Sequence, residues 1–388
     1  MRIVHVEDCF DPTAGYQVND LVEAARGTGD EIFIITSNDM TPFHKSVDLE
    51  EDLEFTSRTG AQIIRLPVLA SVSSRRVLSG LWGNIRFIDP DLVFLHGIGD
   101  FKDLHLLAPA DKWVTVRDCH MSKVASVNPL NELYAFLFRH TFARAINATQ
   151  RYAKVFALGD EEHETLRHLG ISERKIERLP HGYNASMVSY DDLGRRAIRQ
   201  AYGIDDSDTL ISYIGKFDGW KRPDLLFDIL EQASLEQTPG EVRLLFLGPK
   251  EPGYMERFSE RLARSPWRTK VVIDDSKAFY LLKKYFSASD ICIFPRQTSL
   301  SAVHAQVCGA EVIMENHAAN RERVVRQENL FAEGDLAHAA SILERLVREG
   351  VSGSRDRYVE KLRAREYQNQ LGSLRALVTT KGHLDEER

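Results

Sequence analysis

Cysteine is scarce in this chain and never clustered. Cys9, Cys119, Cys292 and Cys308 stand alone with no Cys-x-x-Cys pair, so spacing gives no disulfide framework or thiolate zinc site. They read as small buried side chains in a reducing compartment. Long apolar runs are missing as well. No stretch approaches the ~20 residues that cross a bilayer, and the first residues form no apolar run of signal-peptide length, so a cytoplasmic protein is expected. Positive charge is not in excess either: 50 Lys and Arg against 57 Asp and Glu leave a net charge of −7, which argues against a general nucleic-acid binder. There is no low-complexity tract and no short internal repeat. What remains is 388 residues, 43% of them hydrophobic, enough for two domains that each bury a core.

Strand and helix patterns alternate throughout, which implies parallel sheets with helices on both faces. In the first half, strands are predicted near 2–6, 31–36, 62–66, 92–95, 112–116, 153–158 and 175–179. In the second they fall near 209–214, 243–247, 270–273, 290–294 and 311–314. The turn-rich Leu179-Pro180-His181-Gly182-Tyr183-Asn184 between the two sets reads as a hinge, dividing a domain at 1–182 from one at 183–359.

Two segments carry chemistry. Ile214-Gly215-Lys216-Phe217-Asp218-Gly219-Trp220-Lys221-Arg222-Pro223-Asp224-Leu225-Leu226 joins a strand to an amphipathic helix through a tight turn holding Lys216 and Lys221. Ligands of open α/β sheets bind at strand ends, and two ammonium groups there offset the charge of a departing diphosphate. By charge spacing alone two such lysines are usually just a solvated loop. The second segment runs from Ser289-Asp290-Ile291-Cys292-Ile293-Phe294-Pro295 through Thr298-Ser299-Leu300-Ser301-Ala302-Val303-His304 to Cys308-Gly309 and Ala310-Glu311-Val312-Ile313. It reads as strand, polar loop, short helix, glycine stop and strand, with Ser299 or Ser301 as the helix cap and free N–H groups facing the loop.

Together these segments resemble the donor-binding half of the family 4 glycosyltransferases, where Gly-Arg-Leu is followed by Lys-Gly and a Leu-Leu pair, and where Glu-Ala-Met-Ala-Cys-Gly precedes Pro-Val-Ile. The resemblance implies the GT-B architecture: α/β, two doubly wound parallel-sheet (Rossmann-like) domains facing across a cleft, with a C-terminal helix at 360–388 returning to the first. It places Lys216 at the arginine position, without the planar fork that grips two phosphate oxygens, and Lys221 at the lysine position. His304 stands where a carboxylate receives the nucleotide ribose; a neutral imidazole accepts one hydrogen bond there, or else simply packs on the helix. Gln306, Glu315 and Glu322 lie nearby as further polar candidates.

The first half carries matching pieces. Gly15-Tyr16 follows the first strand, where the family usually has two glycines beside the diphosphate. His96 ends the strand Asp91-Leu92-Val93-Phe94-Leu95, and Trp113-Val114-Thr115-Val116-Arg117-Asp118-Cys119-His120 resembles the family's Thr-x-His-Asp ending. Arg117 holds the histidine's place, so His120 is expected to face the reacting centre with Asp118 orienting it, and His96 and Arg117 to lie on the acceptor side. The alternative is an Arg117–Asp118 ion pair with His120 on the surface.

Implied, then, is a retaining hexosyltransferase. It moves a sugar from a nucleoside-diphosphate sugar to a carbohydrate or lipid-linked acceptor hydroxyl in polysaccharide or glycoconjugate biosynthesis, with no cofactor. Catalytic roles fall to His120, Asp118, Lys216 and Lys221, and donor contacts to Gly15, Tyr16, Gly215, Ser299, Leu300, Ser301 and His304. The spellings Asp89-Pro90-Asp91 and Asp206-Ser207-Asp208 read as loops, and no metal is expected. The segment 133–152 mixes aromatic and apolar residues with arginines and offers either a peripheral membrane surface or a helix packed on the sheet. Two rivals remain: a catalytically weakened homologue acting as a scaffold, and another GT-B enzyme such as a sugar-nucleotide epimerase or a glycoside phosphorylase.

Overall fold

A computed structural model describes residues 1–40, 47–72, 75–107, 112–121, 131–235, 240–296, 298–350 and 355–386. The chain divides into two compact units, Met1–Asn184 with Tyr367–Arg388, and Ala185–Glu366.

The first unit is built on β1 (Arg2–Val6), β2 (Glu31–Ser37), β3 (Gln62–Leu66), a hairpin of β4 (Val68–Val72) and β5 (Arg75–Leu78), then β6 (Leu92–Leu95), β7 (Val114–Cys119), β8 (Tyr152–Ala157) and β9 (Ile176–Arg178). The hairpin stands apart; the other seven form one parallel sheet in the order β3-β2-β1-β6-β7-β8-β9. Central parallel strands are covered on both faces and therefore read as apolar runs. Ile3 and Phe94 pack into one core with Val18, Leu21 and Val22 of the helix Gln17–Ala24, while Val4, Val6, Val93 and Leu95 belong to the core on the other face. The helix Tyr367–Glu386 is part of this unit, because Tyr367, Leu371 and Leu374 complete the first of these cores. Its start is tied down by the Tyr367 N–H donating to the Tyr183 carbonyl at 3.0 Å and by Gln370 donating to the Pro180 carbonyl at 2.8 Å. The helix Arg355–Leu362 stays with the second unit.

The second unit contains β10 (Thr209–Ile214), β11 (Val242–Leu247), β12 (Val271–Asp274), β13 (Ile291–Phe294), β14 (Glu311–Glu315) and β15 (Leu330–Phe331), all parallel, in the order β12-β11-β10-β13-β14-β15. Each unit is thus a doubly wound α/β layer.

Strand positions agree with the sequence pattern to within a residue or two, with one consequential exception. The strand predicted at 112–116 runs to Cys119, so Arg117 and Asp118 are strand residues and point to opposite faces of the sheet. The hairpin and the two-residue β15 were not anticipated. Among the described residues no helix is long and apolar enough to cross a membrane.

Candidate functional site

Parallel sheets reverse their winding where neighbouring strands lead off to opposite sides, and the crevice outside the carboxyl ends of those strands is where ligands bind. In the first unit that point lies between β1 and β6, in the second between β10 and β13. His96 follows β6, and the turn holding Lys216 and Lys221 follows β10.

In the first unit, register aligns Leu95 of β6 with Arg117 of β7, so His96 continues beside Asp118. Four side chains then form a chain. His5 Nδ1 lies 3.0 Å from His96 Nε2, and His96 Nδ1 is 2.7 Å from Asp118 Oδ2. The second carboxylate oxygen accepts from the Gly97 N–H at 2.6 Å and sits 3.0 Å from His120 Nε2. His5, His96 and Asp118 are buried, whereas the His120 side chain is 40% exposed at the rim. Burial would raise the Asp118 carboxyl, but His120 and His96 hold it well below the usual carboxylate range. Burial likewise works against charge on His120, yet Asp118, with Glu7 and Glu162 behind it, raises its pKa to about 9. The ring is an imidazolium at neutral pH, a donor and not a base. His5 goes the other way: burial and then the neighbouring His96 lower it to about 3, so it is neutral. Glu7, at the end of β1, has its carboxyl raised by burial, with His96, His120 and Lys102 opposing. His5 and Glu7 were not singled out by sequence.

Arg117 corrects an expectation. It does not pair with Asp118 and does not reach an acceptor side; it lies fully buried on the other face of β7. Its Nε donates to the Gly97 carbonyl at 2.7 Å, and its terminal nitrogens engage Asp100 at 2.7 Å and Asp103. Lys102 adds bonds to Asp8 at 2.8 Å and Asp100 at 2.9 Å. This ionic knot fixes the loop 97–103 against the end of β7, and with it the Gly97 N–H that binds Asp118.

Among the described residues, His96, Asp118 and His120 also form the one trio of donor atoms close enough, within 4.8 Å, to hold a metal ion. Both imidazoles turn a nitrogen onto the Asp118 carboxylate, the geometry of a hydrogen-bond chain.

Gly15 and Tyr16 lead into the helix Gln17–Ala24 just beyond β1; Tyr16 is the N-cap residue and its side chain is 62% exposed.

In the second unit, the loops after β10 and β11 press together. A Cβ on Gly248 would lie 2.0 Å from the Gly215 carbonyl oxygen, and the Phe217 N–H donates to the Pro249 carbonyl at 2.9 Å. Only glycine allows that approach. The turn this supports is closed by Asp218, whose Oδ1 accepts from the N–H groups of Trp220 at 2.9 Å and Lys221 at 2.7 Å. Lys221 Nζ donates to the carbonyl of Thr298, at the entrance to the segment 299–301. Lys216 lies 3.4 Å from Asp218 and is 58% exposed. Burial lowers the Lys221 pKa; Asp218 opposes, while Arg323 and Lys216 add to the lowering. Lys216 and Lys221 thus share the Asp218 carboxylate while Arg323 adds positive charge near Lys221, an arrangement that a bound anion relieves. Arg323 was missed from sequence. It is placed by Gln306, which donates to the Arg323 carbonyl and accepts from the Val325 N–H, both at 2.8 Å.

Two donor-side expectations are corrected. Neither Ser299 nor Ser301 caps the helix Ser301–Val307: Leu300 is the N-cap residue and no side chain caps it. His304 is 3% exposed, with its ring edge-on to Phe279 at 5.4 Å and Phe286 at 6.1 Å between centroids, so it packs within the aromatic layer instead of presenting itself to a ribose. Glu315, buried at the end of β14, accepts from the Gly334 N–H at 3.0 Å and faces Arg296 at 3.5 Å.

The lysine-bearing part has known relatives. Residues 208–349 match the family Glycosyl transferases group 1. Part of the chain also aligns with curated proteins: D-inositol 3-phosphate glycosyltransferase of Rhodococcus opacus is 24% identical over 163 residues, 40% of this chain and 36% of that protein. The protein of the same name from Segniliparus rotundus is 27% identical over 148 residues, 36% of this chain and 31% of that protein. The matches span about a third of those relatives' length. Over the whole chain, the structure of Anabaena HepE in complex with UDP superposes with a TM-score of 0.72 at 13% identity, covering 97% of this chain and 100% of that one. A glycosyltransferase from Rickettsia africae gives 0.72 at 14% identity over 100% and 98%. At such identities the likeness carries the fold, which is that of the GT-B glycosyltransferases.

Proposed function

We propose that this protein is a glycosyltransferase that moves a sugar from a nucleoside-diphosphate sugar to an acceptor hydroxyl. The observation that carries the reading is the turn after β10, where Lys216 lies 3.4 Å from Asp218 and Lys221 reaches the Thr298 carbonyl, inside the matched segment 208–349. The diphosphate binds against these cations, which stabilise the charge that builds on the leaving oxygen as the glycosidic bond breaks. The acceptor hydroxyl attacks the anomeric carbon, and its proton passes to the departing phosphate oxygen. His120, an imidazolium held by Asp118, donates a hydrogen bond to the transferred sugar or the acceptor. Transfer of a hexose with retention of configuration follows from the family resemblance, as does a role in polysaccharide or glycoconjugate synthesis. The positive charge is supplied by side chains, so a metal is not required.

A lipid-linked acceptor is part of the same proposal. The helix Asn131–His140 buries Ala135 and Phe138 but leaves Leu133, Phe136 and Leu137 more than half exposed, with Arg139 and His140 in its last turn. Flotation with anionic vesicles tests it; an unchanged sedimentation profile rejects it.

The decisive experiment incubates the protein with a panel of intact nucleoside-diphosphate sugars and acceptors, reading products by mass spectrometry beside Lys221→Met. Donor-dependent product that the substitution suppresses supports the assignment. No product from either protein, together with no thermal stabilisation by any nucleoside diphosphate, leaves the scaffold reading in its place.

A further inference from the structure

The four-residue chain ending at His120 contains more order than a hydrogen-bond list conveys. Asp118 is an acceptor, so the His96 nitrogen facing it at 2.7 Å carries the proton. His96 Nε2 faces His5 Nδ1 at 3.0 Å, and one of the two must donate. The remaining His5 nitrogen, Nε2, is buried with no partner among the described residues, which suits a lone pair better than an N–H. One end of the chain is thus a buried, unpartnered nitrogen in the sheet, and the other is the partly exposed ring of His120. The His5 and His96 rings lie nearly parallel, 13° apart, and Phe94 stacks on His96 at 4.1 Å, so neither ring can turn freely.

We propose that His5 and His96 are positioning residues that act through Asp118 on His120: each is locked in its Nδ1–H tautomer, and together they aim the carboxylate that keeps His120 charged and facing the sugar. The proposal rests on the assignment of His120 to the reacting centre. Without the His96 N–H, Oδ2 of a fully buried carboxylate has no donor, and Asp118 gains stability by turning away or by taking the proton from His120. The other titratable groups around His120 are Glu7 beyond β1, Glu162 on the helix Asp160–His168 and His181 after β9, whose ring centroid is 5.8 Å away; Lys102 faces Glu7 from the loop 97–103. None of them bonds Asp118 Oδ2 in place of His96.

The test uses the full chain labelled with ¹⁵N-histidine and needs no substrate. At pH 7.5 the wild-type spectrum should show a proton on Nδ1 of both His5 and His96, none on His5 Nε2, and His120 cationic. In His96→Leu the cationic fraction of His120 should fall from nearly all to about a tenth, as for an ordinary imidazole near 6.5. His96→Asn, which keeps an N–H in the place of Nδ1, should restore most of it. A proton on His96 Nε2, or a His120 that stays cationic in His96→Leu, overturns the proposal. If His96→Leu does not fold, the wild-type tautomers and His5→Phe decide. In His5→Phe, His96 should keep its Nδ1 proton on Asp118 but lose its partner at Nε2, and transfer should slow with donor KM unchanged. A normal tautomer chain in a protein that transfers no sugar would reject the functional reading and leave the chain itself standing.

Discussion

Removing the Lys221 charge separates binding from stability. In Lys221→Met the bond to the Thr298 carbonyl is lost and the cation crowding with Lys216 and Arg323 is relieved. Toward a nucleoside diphosphate, an ammonium about 4 Å from a phosphate charge contributes about 4 kcal/mol at an effective dielectric constant of about 20. Partial screening by solvent brings the net value to the range of a charge-assisted hydrogen bond, about 2–3 kcal/mol. Affinity should therefore fall about 30- to 150-fold. The unbound protein should lose nothing comparable: the lysine is already disfavoured by burial, so the unfolding free energy should move by less than about 0.5 kcal/mol. Lys216, 58% exposed, should cost only about 3- to 5-fold when changed to Met, because solvent screens it. Isothermal titration with UDP and the other nucleoside diphosphates, paired with urea unfolding, measures both quantities. A loss of affinity below threefold, or a loss of stability that tracks it, would refute the argument.

The other expectations concern residues whose roles the structure reassigned or defined. Arg117→Met leaves Asp100 and Asp103 buried without their guanidinium and should cost about 3–5 kcal/mol of stability in urea unfolding. A cost under 1 kcal/mol would mean the knot is not held by this residue. His304→Leu keeps an apolar body against Phe279 and Phe286, so nucleoside-diphosphate affinity should change less than threefold; a tenfold loss would return the ring to the donor site. His120 binds its proton more tightly folded, at about 9, than at its ordinary 6.5, so its stabilisation is complete below about pH 6.5 and fades as pH rises through about 9. The unscreened value of about 3 kcal/mol is reduced by solvent at a 40% exposed ring to about 1–2 kcal/mol. Urea midpoints of wild type and His120→Gln should converge between pH 6.5 and 9.5, and parallel curves would contradict the ion pair.

Much of the fold was legible because parallel strands buried on both faces write themselves as short apolar runs between helical periods, which the sequence shows from Arg2 to Glu315. The lysine-bearing turn was legible too, since glycines, paired cations and a following Leu225-Leu226 are local features. Arg117 and His304 were not. One depends on how far β7 continues, because a strand ending at 116 leaves Arg117 undirected whereas one ending at 119 sets it opposite Asp118. The other depends on which aromatic side chains, 25 and 18 residues upstream, close over a helix face.

Composition and local pattern determined the α/β layers, the strand positions and the placing of Lys216, Lys221, Asp118 and His120 near strand ends, because each follows from residues adjacent in the chain. Which strands lie side by side was decided only by the tertiary structure. That pairing made β1 the neighbour of β6 and β10 the neighbour of β13, and so brought His5 to His96, and Lys221 to Thr298 across 77 residues. The charge states at both places follow from burial and from neighbours remote in sequence, and no local pattern encodes either.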